Sequence, residues 1–549
     1  MGRFLSPLTA LTLTDHFYVA LVLKPTMATS TRLLLFLALL WTANGIKILM
    51  YSPKFGSSHV SFMGRLADIL VEEGMDVTVV LPQMNPFIVS NGTKLAKTII
   101  IYPCQSSIDY HIDTSFLESV WVKDSTNPVD QKMVLDRIIG IHVDQCGATL
   151  SRKELLEFLR NEKFDLGISE ALLFDFCAMG IFEEIGLEKH VLIGTSLLWE
   201  YVADLFGAPN LPAVVPGLFT AASNQMSYIE RALNLLKIQL SKNVGRTSAE
   251  GYEAIVEMVL GRKINIEEKL SQASFVITNG DPLLDFPRPF TERIVNIGGI
   301  SVPKPKPLNA FWENVVTDRK ATVLMSFGSV AQSYTMPKEM KKAILETFKR
   351  FPEVTFIWKY EKDEDEVAKG YPNVVTNKWV PQNDLLNHPN LKLFITHAGM
   401  NSILETSRRG VPVITIPLFG DQLRNAEMVK RLGTAQIVDK KMLFDSDQFE
   451  AKLKESLENP SHLTSATRLS QMMAKRPRNQ RQELVNHVKF AAEFGYLPEY
   501  RIPQVSFMQY YMLDIFILLF VVLSFITLSI SYGLYKLSVK LFTKKVKTA

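Results

Sequence analysis

The residues best suited to chemistry lie in the second half of the chain, directly after a predicted strand. The apolar run Leu391–Thr396 is followed by His397-Ala398-Gly399-Met400-Asn401-Ser402, and a helix is expected from near Asn401 until just before Gly410. Glycine lets backbone approach a ligand closely, and the first turn of a helix presents unpaired N–H groups with partial positive charge. This order of strand, glycine loop and helix start predicts a site for a phosphate or a similar anion.

Side chains around this loop could extend the anion site into a nucleotide site. His397 could donate to a phosphate oxygen, and Glu405, one turn into the helix, suits a pair of vicinal hydroxyls such as those of a ribose. Trp379 ends another predicted strand and could stack on a base, which is worth roughly 1–3 kcal/mol per base. Taken singly, each has an ordinary alternative: Asn401 could cap a helix and Trp379 could fill a core. Their order and spacing together favour the nucleotide site.

A candidate catalytic base lies near the start of the chain. His59 ends the stretch Phe55-Gly56-Ser57-Ser58-His59, between the first predicted strand and its helix. Ligands of parallel sheets sit at the carboxyl ends of the strands, so this histidine should face the cleft. Imidazole titrates near neutral pH and can accept a proton from a hydroxyl group. On its own, a histidine at a helix start is more often a cap or a surface residue.

The stretch from Trp379 to Ala426 resembles the signature of the UDP-glycosyltransferase family, whose animal members include the UDP-glucuronosyltransferases. The resemblance covers nearly the whole chain: a signal-like start, the opening Ser52–Met63, the signature, a C-terminal apolar segment and a basic tail. It implies an α/β GT-B fold, in which two doubly wound, Rossmann-like domains face each other across a cleft and a C-terminal transmembrane helix follows. The second domain would hold the donor and the first domain the acceptor.

The same resemblance assigns roles to the donor-side residues. Trp379 would stack on uracil, Gln382 would contact the base or the ribose, and Glu405 would bind the ribose. The residues expected to hold the diphosphate are Ser329, His397, Gly399, Asn401 and Ser402. Asp421 and Gln422 would bind hydroxyls of the transferred sugar. Ala398 stands where the family often has glycine, which would alter the loop slightly.

On the acceptor side the resemblance makes His59 the catalytic base with a carboxylate partner that fixes its tautomer. The family often has aspartate there, whereas this chain has Glu170 at the end of the predicted strand Leu166–Ser169. Asp165 is a rival, but it falls at the start of that strand. Acceptor-binding residues are expected from an irregular region between about Leu197 and Tyr252.

The implied reaction is an inverting transfer of glucuronate or glucose from a UDP-sugar to a hydroxyl of a small lipophilic acceptor. The UDP-sugar is a co-substrate, and neither a cofactor nor a metal is expected. Glucuronate would require a cation near Asp421, for which Arg424 is a candidate. The acidic stretches Asp363–Asp365 and Asp445–Asp447 look like the metal-binding DxD of other transferases, but their surroundings indicate solvated and helix-capping roles.

Two other functions compete with the transferase. A non-catalytic UDP-sugar-binding homologue would keep the fold without turnover, and the presence of Glu170 leaves room for it. A nicotinamide-dependent oxidoreductase is disfavoured, because a GxGxxG fingerprint does not follow either domain's first strand.

Predicted elements and linkers divide the chain. Strand, helix and strand in Ile46–Leu81 read as a βαβ unit, and the rhythm restarts at Thr322 after a proline- and lysine-rich connector. The predicted parts are a signal-peptide region (1–45), an N-terminal acceptor domain (46–301), a linker (302–308), a C-terminal donor domain with a return segment (309–504), a transmembrane helix (515–535) and a basic tail (536–549). Translation from Met1 or from Met27 both stay open.

Composition narrows the class of protein. A length of 549 residues exceeds one ordinary core, and the net charge of +4 with no arginine-rich stripe argues against nucleic-acid binding. Three cysteines cannot form a disulfide framework. One bridge plus a free thiol and three buried thiols are equally compatible with Cys104, Cys146 and Cys177.

The two ends of the chain predict its location. The apolar run Leu33–Trp41 precedes a small-x-small site ending at Gly45, as in a secretory signal. The run Ile515–Leu534 is long enough to cross a bilayer, and the lysine-rich tail behind it should be cytosolic. The last five residues resemble a KxKxx retrieval signal, although a plain stop-transfer tail would look the same. We therefore expect a single-pass type I protein of the endoplasmic reticulum membrane with lumenal catalytic domains, a glycosylation sequon at Asn91, and an oligomeric state that stays open.

Overall fold

The computed structural model describes residues 45–113, 115–171, 175–501, 503 and 505–547. Contacts divide the chain into two compact units, of which the first ends at Pro498 and the second begins at Glu499. Apart from Gly45, the predicted signal-peptide region lies outside the described residues.

The strands of the described residues form two sheets, both parallel throughout. The first sheet has the order β3-β2-β1-β4-β5-β6-β7. Its strands are β1 Lys47–Tyr51, β2 Asp76–Pro82, β3 Lys97–Ile101, β4 Leu166–Glu170, β5 His190–Gly194, β6 Val276–Thr278 and β7 Ile294–Asn296. The strand order reverses direction between β1 and β4, which is the topological switch point of a doubly wound sheet.

The second sheet has the order β10-β9-β8-β11-β12-β13 and switches between β8 and β11. Its strands are β8 Ala321–Ser326, β9 Val354–Lys359, β10 Val374–Asn377, β11 Leu391–Thr396, β12 Val413–Thr415 and β13 Ala435–Ile437. Two doubly wound sheets confirm the predicted fold class. The domain boundary at 302–308 stays a prediction, although that segment does lie between the last strand of one sheet and the first strand of the other.

Helices pack on both sheets, and the last helices of the chain belong to the second unit. In the described residues they are α1 Ser57–Glu72, α2 Gln105–Ile112, α3 Ser115–Val122, α4 Pro128–Leu150, α5 Lys153–Glu162, α6 Cys177–Ile185, α7 Glu200–Leu205, α8 Tyr228–Leu260, α9 Ile266–Ser271, α10 Ala310–Thr317, α11 Lys338–Lys349, α12 Gln382–Leu385, α13 Met400–Arg409, α14 Gln422–Arg431, α15 Ser446–Glu458, α16 Pro460–Ala474, α17 Gln480–Phe494, α18 Phe507–Tyr510 and α19 Leu513–Lys547. Helix α8 corrects the expectation of an irregular region up to Tyr252: its first turn is fixed by a capping box between Ser227 and Glu230.

The first crossover shows why the sequence folds this way. Strand β1 is buried on both faces, as a central parallel strand should be, and α1 packs Phe62, Leu66 and Leu70 onto the sheet. Gly74 then takes a left-handed conformation with φ 85° and lets the chain enter β2. Near the end of the first unit, α17 returns to the first sheet and buries Leu484 and Val488 in the same core.

A disulfide joins α4 to α6. Cys146 and Cys177 are bonded, and Cys104 is a free, partly buried thiol. Of the two arrangements that the sequence left open, the structure has one bridge and one thiol. The bond lies in the core of the first sheet, where both cysteines are buried.

Removing this bridge should destabilise the protein. The bond closes a loop with a sequence separation of 31 residues, for which the chain-entropy model gives about 3–4 kcal/mol. We expect the double variant Cys146→Ala/Cys177→Ala to lose about that much free energy of unfolding in denaturant titration. Cys104→Ala is the matched control and should change it by less than about 0.5 kcal/mol. An equal loss in both variants would contradict the stabilising role of the bridge.

The second unit contains the candidate membrane span. Within the described residues, the segment Leu513–Leu541 of α19 is long and apolar enough to cross a bilayer, and none of it is buried inside the protein. A helix of this length and composition is a candidate membrane span. The helix extends beyond the predicted span of 515–535 at both ends, and the lysines of its carboxyl-terminal extension are good helix formers.

Candidate active site

The predicted base and its partner meet at the switch point of the first sheet. His59 lies in the first turn of α1, directly after β1, and Glu170 is the last residue of the neighbouring strand β4. Nδ1 of His59 lies 2.8 Å from Oε1 of Glu170. The carboxylate is buried, whereas the imidazole keeps 31% of its side-chain surface exposed. Glu170 is therefore the buried group that orients the pair, and His59 is the group that is open to the cleft.

This geometry decides between the two carboxylates that the sequence offered. Asp165 lies at the opposite end of β4, where its carboxylate accepts a hydrogen bond of 2.8 Å from the backbone N–H of Lys47. Parallel strands put their carboxyl ends on one edge of the sheet, and that edge holds Glu170. Glutamate thus reaches the base in spite of its extra methylene group.

Thr195 is a member of the site that sequence reasoning missed. Its hydroxyl lies 3.0 Å from Nδ1 of His59 and also contacts Oε1 of Glu170. It follows β5 directly, on the same edge of the sheet as Glu170. The position after a strand next to β4 was the available signal, but a lone threonine has no distinguishing chemistry in a sequence.

The surroundings of His59 favour its protonated form. Burial would lower the pKa of its imidazole, but the carboxylates of Glu170 and Asp421 outweigh burial and raise that pKa above its ordinary value. His142, behind the site, has its pKa lowered to about 3, mainly by burial, and is neutral. Burial and the neighbouring Glu170 raise the pKa of Asp175 well above its ordinary value. The imidazole of His59 thus lies near two carboxylates, that of Glu170 in the first domain and that of Asp421 in the second.

A loop of the second sheet forms around His397. The residue follows β11 at the second switch point, beside the loop after β8. A methyl group on Gly399 would lie 2.6 Å from Nε2 of His397, and one on Gly328, whose φ is +80°, would lie 2.7 Å from Cε1. Glycine is needed at both positions because the imidazole sits between them.

His397 is neutral, and the loop around it is strained. Burial and then the ammonium of Lys359 lower the pKa of His397 to about 4, so the ring carries one N–H that can donate. Lys359 itself donates a 2.7 Å hydrogen bond to the carbonyl of Gly328. Ala398 takes the left-handed conformation with φ 67°. This conformation favours glycine, so Ala398 adds backbone strain to the loop.

The first turn of α13 continues the donor side. Asn401 and Ser402 are its second and third residues, and the N–H groups of this turn are free of intrahelical partners. The side-chain oxygen of Asn401 accepts a 2.9 Å hydrogen bond from Asn279, which follows the first sheet's β6. The predicted phosphate turn is therefore held to the opposite domain.

The residues predicted to bind the nucleoside form a second group next to this turn. Nε2 of Gln382 lies 2.5 Å from Oε2 of Glu405 and 3.2 Å from the Ser402 hydroxyl. Burial raises the pKa of Glu405 above its ordinary value. The indole of Trp379 is 74% exposed, which corrects its alternative role as a core aromatic and leaves a flat face for stacking.

Asp421 and Gln422 begin α14 and differ in what they contact. One Asp421 carboxylate oxygen accepts from Ser196 at 2.5 Å and from Asn425 at 3.0 Å. Oε1 of Gln422 accepts from the backbone N–H groups of Leu418 and Phe419, so only its NH₂ group remains for a ligand. Asp421 thus lies where the two domains meet, opposite the predicted base.

Arg424, the candidate cation for a uronate, is already engaged. Its guanidinium is buried, lies 2.6 Å from the carboxylate of Asp285, and donates to the carbonyl of Pro216 at 2.9 Å. It links the two domains and lies outside the lining of the cavity between them.

A cavity of about 350 Å³ lies between the two domains. The predicted residues that line it are His59, Ser329, His397, Gly399, Asn401, Ser402, Asp421 and Gln422. Glu170 lies behind His59, and Trp379, Gln382 and Glu405 lie outside the lining. Of the region expected to bind the acceptor, Trp199, Leu218 and Phe219 contribute. Further apolar lining comes from residues 119–138, which the sequence did not indicate, and from Phe55, Val330, Met400, Leu418 and Phe419.

The two DxD-like stretches are structural. Asp445 caps α15 by accepting from the N–H groups of Asp447 and Gln448. Asp363–Asp365 is an exposed turn whose first two residues pair with Lys378. Within the described ranges, no group of three or more His, Cys, Asp or Glu side chains is arranged to hold a metal ion.

Known proteins match this chain over most of its length. The family model described as "UDP-glucoronosyl and UDP-glucosyl transferase" matches residues 47–549. The ugt-47 protein of Caenorhabditis briggsae is 31% identical over 516 residues, which are 90% of this chain and 94% of the relative. UDP-glucuronosyltransferase 1-2 of Mus musculus is 29% identical over 501 residues, 89% of this chain and 91% of the mouse protein.

Solved structures share the fold at low identity. The Phytolacca americana protein UGT2, complexed with UDP-2fluoro-glucose and pterostilbene, superposes with a TM-score of 0.55 at 15% identity. That match covers 82% of this chain and the whole of the plant chain. The spinosyn forosaminyltransferase SpnP gives a TM-score of 0.53 at 16% identity, with 82% and 99% coverage.

Proposed function

Because the chain belongs to the family of UDP-glucuronosyl and UDP-glucosyl transferases, and is a UDP-glycosyltransferase of GT-B fold, we propose that it transfers a hexosyl group to a hydroxyl of a small lipophilic acceptor with inversion. The observation that carries this proposal is the His59–Glu170 pair at one edge of a cleft whose other edge holds the donor residues. Apolar side chains such as Leu218, Phe219 and Ile138 line the same cavity and would contact a lipophilic acceptor.

In the proposed reaction His59 takes the proton of the acceptor hydroxyl through Nε2 while Nδ1 stays hydrogen-bonded to Glu170. The acceptor oxygen forms its bond to the anomeric carbon as the bond from that carbon to the UDP oxygen breaks. Glu170 stabilises the imidazolium that forms, and general base catalysis of this kind contributes roughly 10²–10⁴-fold.

The departing UDP carries the electron pair, and the donor side would stabilise its charge. Ser329, Gly399 and the free N–H groups at the start of α13 surround the expected diphosphate, with the neutral imidazole of His397 as a further donor. Preorganised donors aimed at developing charge are usually the larger contribution to rate. Trp379 would stack on uracil, and Gln382 with Glu405 would bind the ribose. We also propose that the reaction uses no bound metal or other cofactor.

For the donor sugar we propose glucose over glucuronate. A uronate carboxylate needs a free cation near Asp421, and Arg424 is paired with Asp285. Neutral sugar hydroxyls, by contrast, can donate hydrogen bonds to the carboxylate of Asp421, which lines the cavity.

Thermal unfolding tests this proposal without the acceptor. We expect the midpoint of the full chain in detergent to rise with UDP and UDP-glucose, since a ligand at a hundred times its dissociation constant stabilises by about 2.7 kcal/mol. ADP is the matched control and should give a much smaller shift, because the base pocket would select uracil. A larger shift with UDP-glucuronate than with UDP-glucose would contradict the sugar assignment. No shift with any uridine nucleotide on folded protein would contradict the donor-site assignment, whereas a shift without turnover would favour the non-catalytic homologue.

We propose a single-pass type I arrangement in the endoplasmic reticulum membrane, with α19 as the span and the catalytic domains in the lumen. The Cys146–Cys177 bridge supports an oxidising compartment, and lysines follow the apolar segment without an acidic residue. Glycosylation at Asn91 is part of this proposal, as is the domain boundary at 302–308.

The retrieval signal can be tested by substitution. Changing Lys545 and Lys547 to serine should allow the protein to leave the endoplasmic reticulum, seen by microscopy as a Golgi and cell-surface distribution. Changing Lys536 and Lys540 to serine instead removes equal charge nearer the span and is the control. If neither variant relocates, the tail acts as a stop-transfer signal alone.

A further inference from the structure

A short helix of the first domain's sequence is built into the core of the second domain. Helix α3 lies between β3 and β4 in the chain, yet Val120 and Trp121 belong to the apolar core around β8, β9 and α11. Trp121 is completely buried. Its ring meets that of Phe327 edge to face, with 5.1 Å between the ring centroids.

Polar contacts fix α3 at the same place. The indole N–H of Trp121 donates a 2.9 Å hydrogen bond to the hydroxyl of Thr335, which itself lies 3.2 Å from the carbonyl oxygen of Leu117. The ammonium of Lys440, a buried side chain, donates to the carbonyl of Val120 at 2.7 Å. Buried polar groups are costly to leave unpaired, so these hydrogen bonds favour a single packed position of α3 on the second domain.

The same segment forms a wall of the cavity on its other side. Ser119 and Val120 line the cavity, and so do residues 123–125 that follow α3. Helix α4, whose first turns continue this wall with Val134 and Leu135, starts at Pro128 and packs along α8. One end of the wall is thus attached to the first domain through α4 and α8, and the other end to the second domain through Trp121.

The attachment point lies next to the donor loop. Phe327, which touches Trp121, is followed directly by Gly328 and Ser329, the residue expected to contact the diphosphate. We propose that α3 is a strap that links the two binding sites, with Trp121 as a positioning residue that holds the acceptor wall against the donor loop. The proposal rests on the assignment of Phe327–Ser329 to the UDP site.

The strap predicts that UDP, bound to the second domain, steadies a segment of the first domain's sequence. Bound UDP fixes Phe327–Ser329, and a fixed Phe327 holds Trp121 and the residues around it. Amide exchange of residues 115–124 should therefore slow at least fivefold at saturating UDP, below a ceiling of about 100-fold at a hundred times the dissociation constant. A helix with a merely structural role would exchange at the same rate with and without UDP.

Hydrogen–deuterium exchange of the full chain in detergent, with UDP as the probe, tests this link. We expect wild-type protein to show protection at 327–329 and at 115–124, and Thr335→Val and Trp121→Ala to keep the first and lose most of the second. Thr335→Val keeps the side-chain volume, so it stays informative if Trp121→Ala fails to fold. Ser333→Ala is the matched control, because it removes the Trp358 and Lys359 contacts of the same turn within the second domain and should keep both protections.

The outcomes separate the strap from the donor site. Protection at 327–329 without protection at 115–124 would overturn the strap and leave the donor site in place. Protection at 115–124 that persists in both variants would also overturn it. Absence of protection at 327–329 in the wild type would overturn the donor-site assignment together with the strap that depends on it.

Discussion

Changing His59 to alanine is expected to lower kcat/KM for transfer by about 10²–10⁴-fold while the dissociation constant of UDP changes less than about twofold. The imidazole is the group that faces the cleft, and it lies on the acceptor side with Thr195 and Glu170. The residues expected to hold UDP come from the second sheet and its loops. One of them, Asn401, accepts a hydrogen bond from Asn279 of the first domain. Removal of the base should therefore cost turnover and leave nucleotide affinity in place.

The measurement pairs initial rates with UDP titration by calorimetry on the same preparation. His487→Ala is a control for loss of a histidine, because His487 lies on α17 outside the cavity lining and should keep wild-type rates. Loss of UDP affinity comparable to the loss of rate would show that His59 has been given the wrong role. Wild-type rates in the variant would remove the proposed mechanism altogether.

The regular parts of the fold were predictable because central parallel strands are continuous apolar runs. Strand β11 was predicted with its bounds intact, and the βαβ unit predicted at Ile46–Leu81 matches β1, α1 and β2, which together run from Lys47 to Pro82. The rule that ligands gather at the carboxyl ends of parallel strands then indicated the cleft, and His59 and His397 follow strands at the two switch points. Local periodicity and local glycines carried this information.

What could not be predicted depends on contacts between distant segments. Trp121 reads as an ordinary apolar residue of a short helix, and only the fold shows it packed against Phe327, over 200 residues later. Thr195 reaches His59 because β5 lies beside β4, and Arg424 turns away from the sugar because Asp285 lies next to it. Long α8 was missed because its polar and apolar residues alternate weakly along a helix that is only partly buried.

The second large effect is expected for Glu170, whose substitution should lower the rate and also shift the pH dependence of the reaction. Changing Glu170 to glutamine should lower kcat by about 10²–10⁴-fold, since the imidazolium loses its counter-charge and the amide can select the wrong tautomer of His59. The negative charge of Glu170 is also a main reason that the pKa of His59 is raised. The base works when neutral, so wild-type activity should fall as pH drops through that raised pKa. In the glutamine variant the pKa of His59 falls, and the acid limb of the pH–rate profile should move to lower pH.

The other groups facing His59 fix how this shift is to be judged. Asp421 remains as a carboxylate that raises the pKa of His59, and His142, with a pKa of about 3, stays neutral over the working range. Glu170→Asp restores the charge with one methylene fewer, so it should recover the position of the acid limb and only part of the rate. Profiles of kcat/KM from about pH 5 to about pH 9 span the titration of histidine. An acid limb that stays in place in the glutamine variant would mean that His59 is not the titrating base, because a group 2.8 Å from the removed charge cannot keep its pKa.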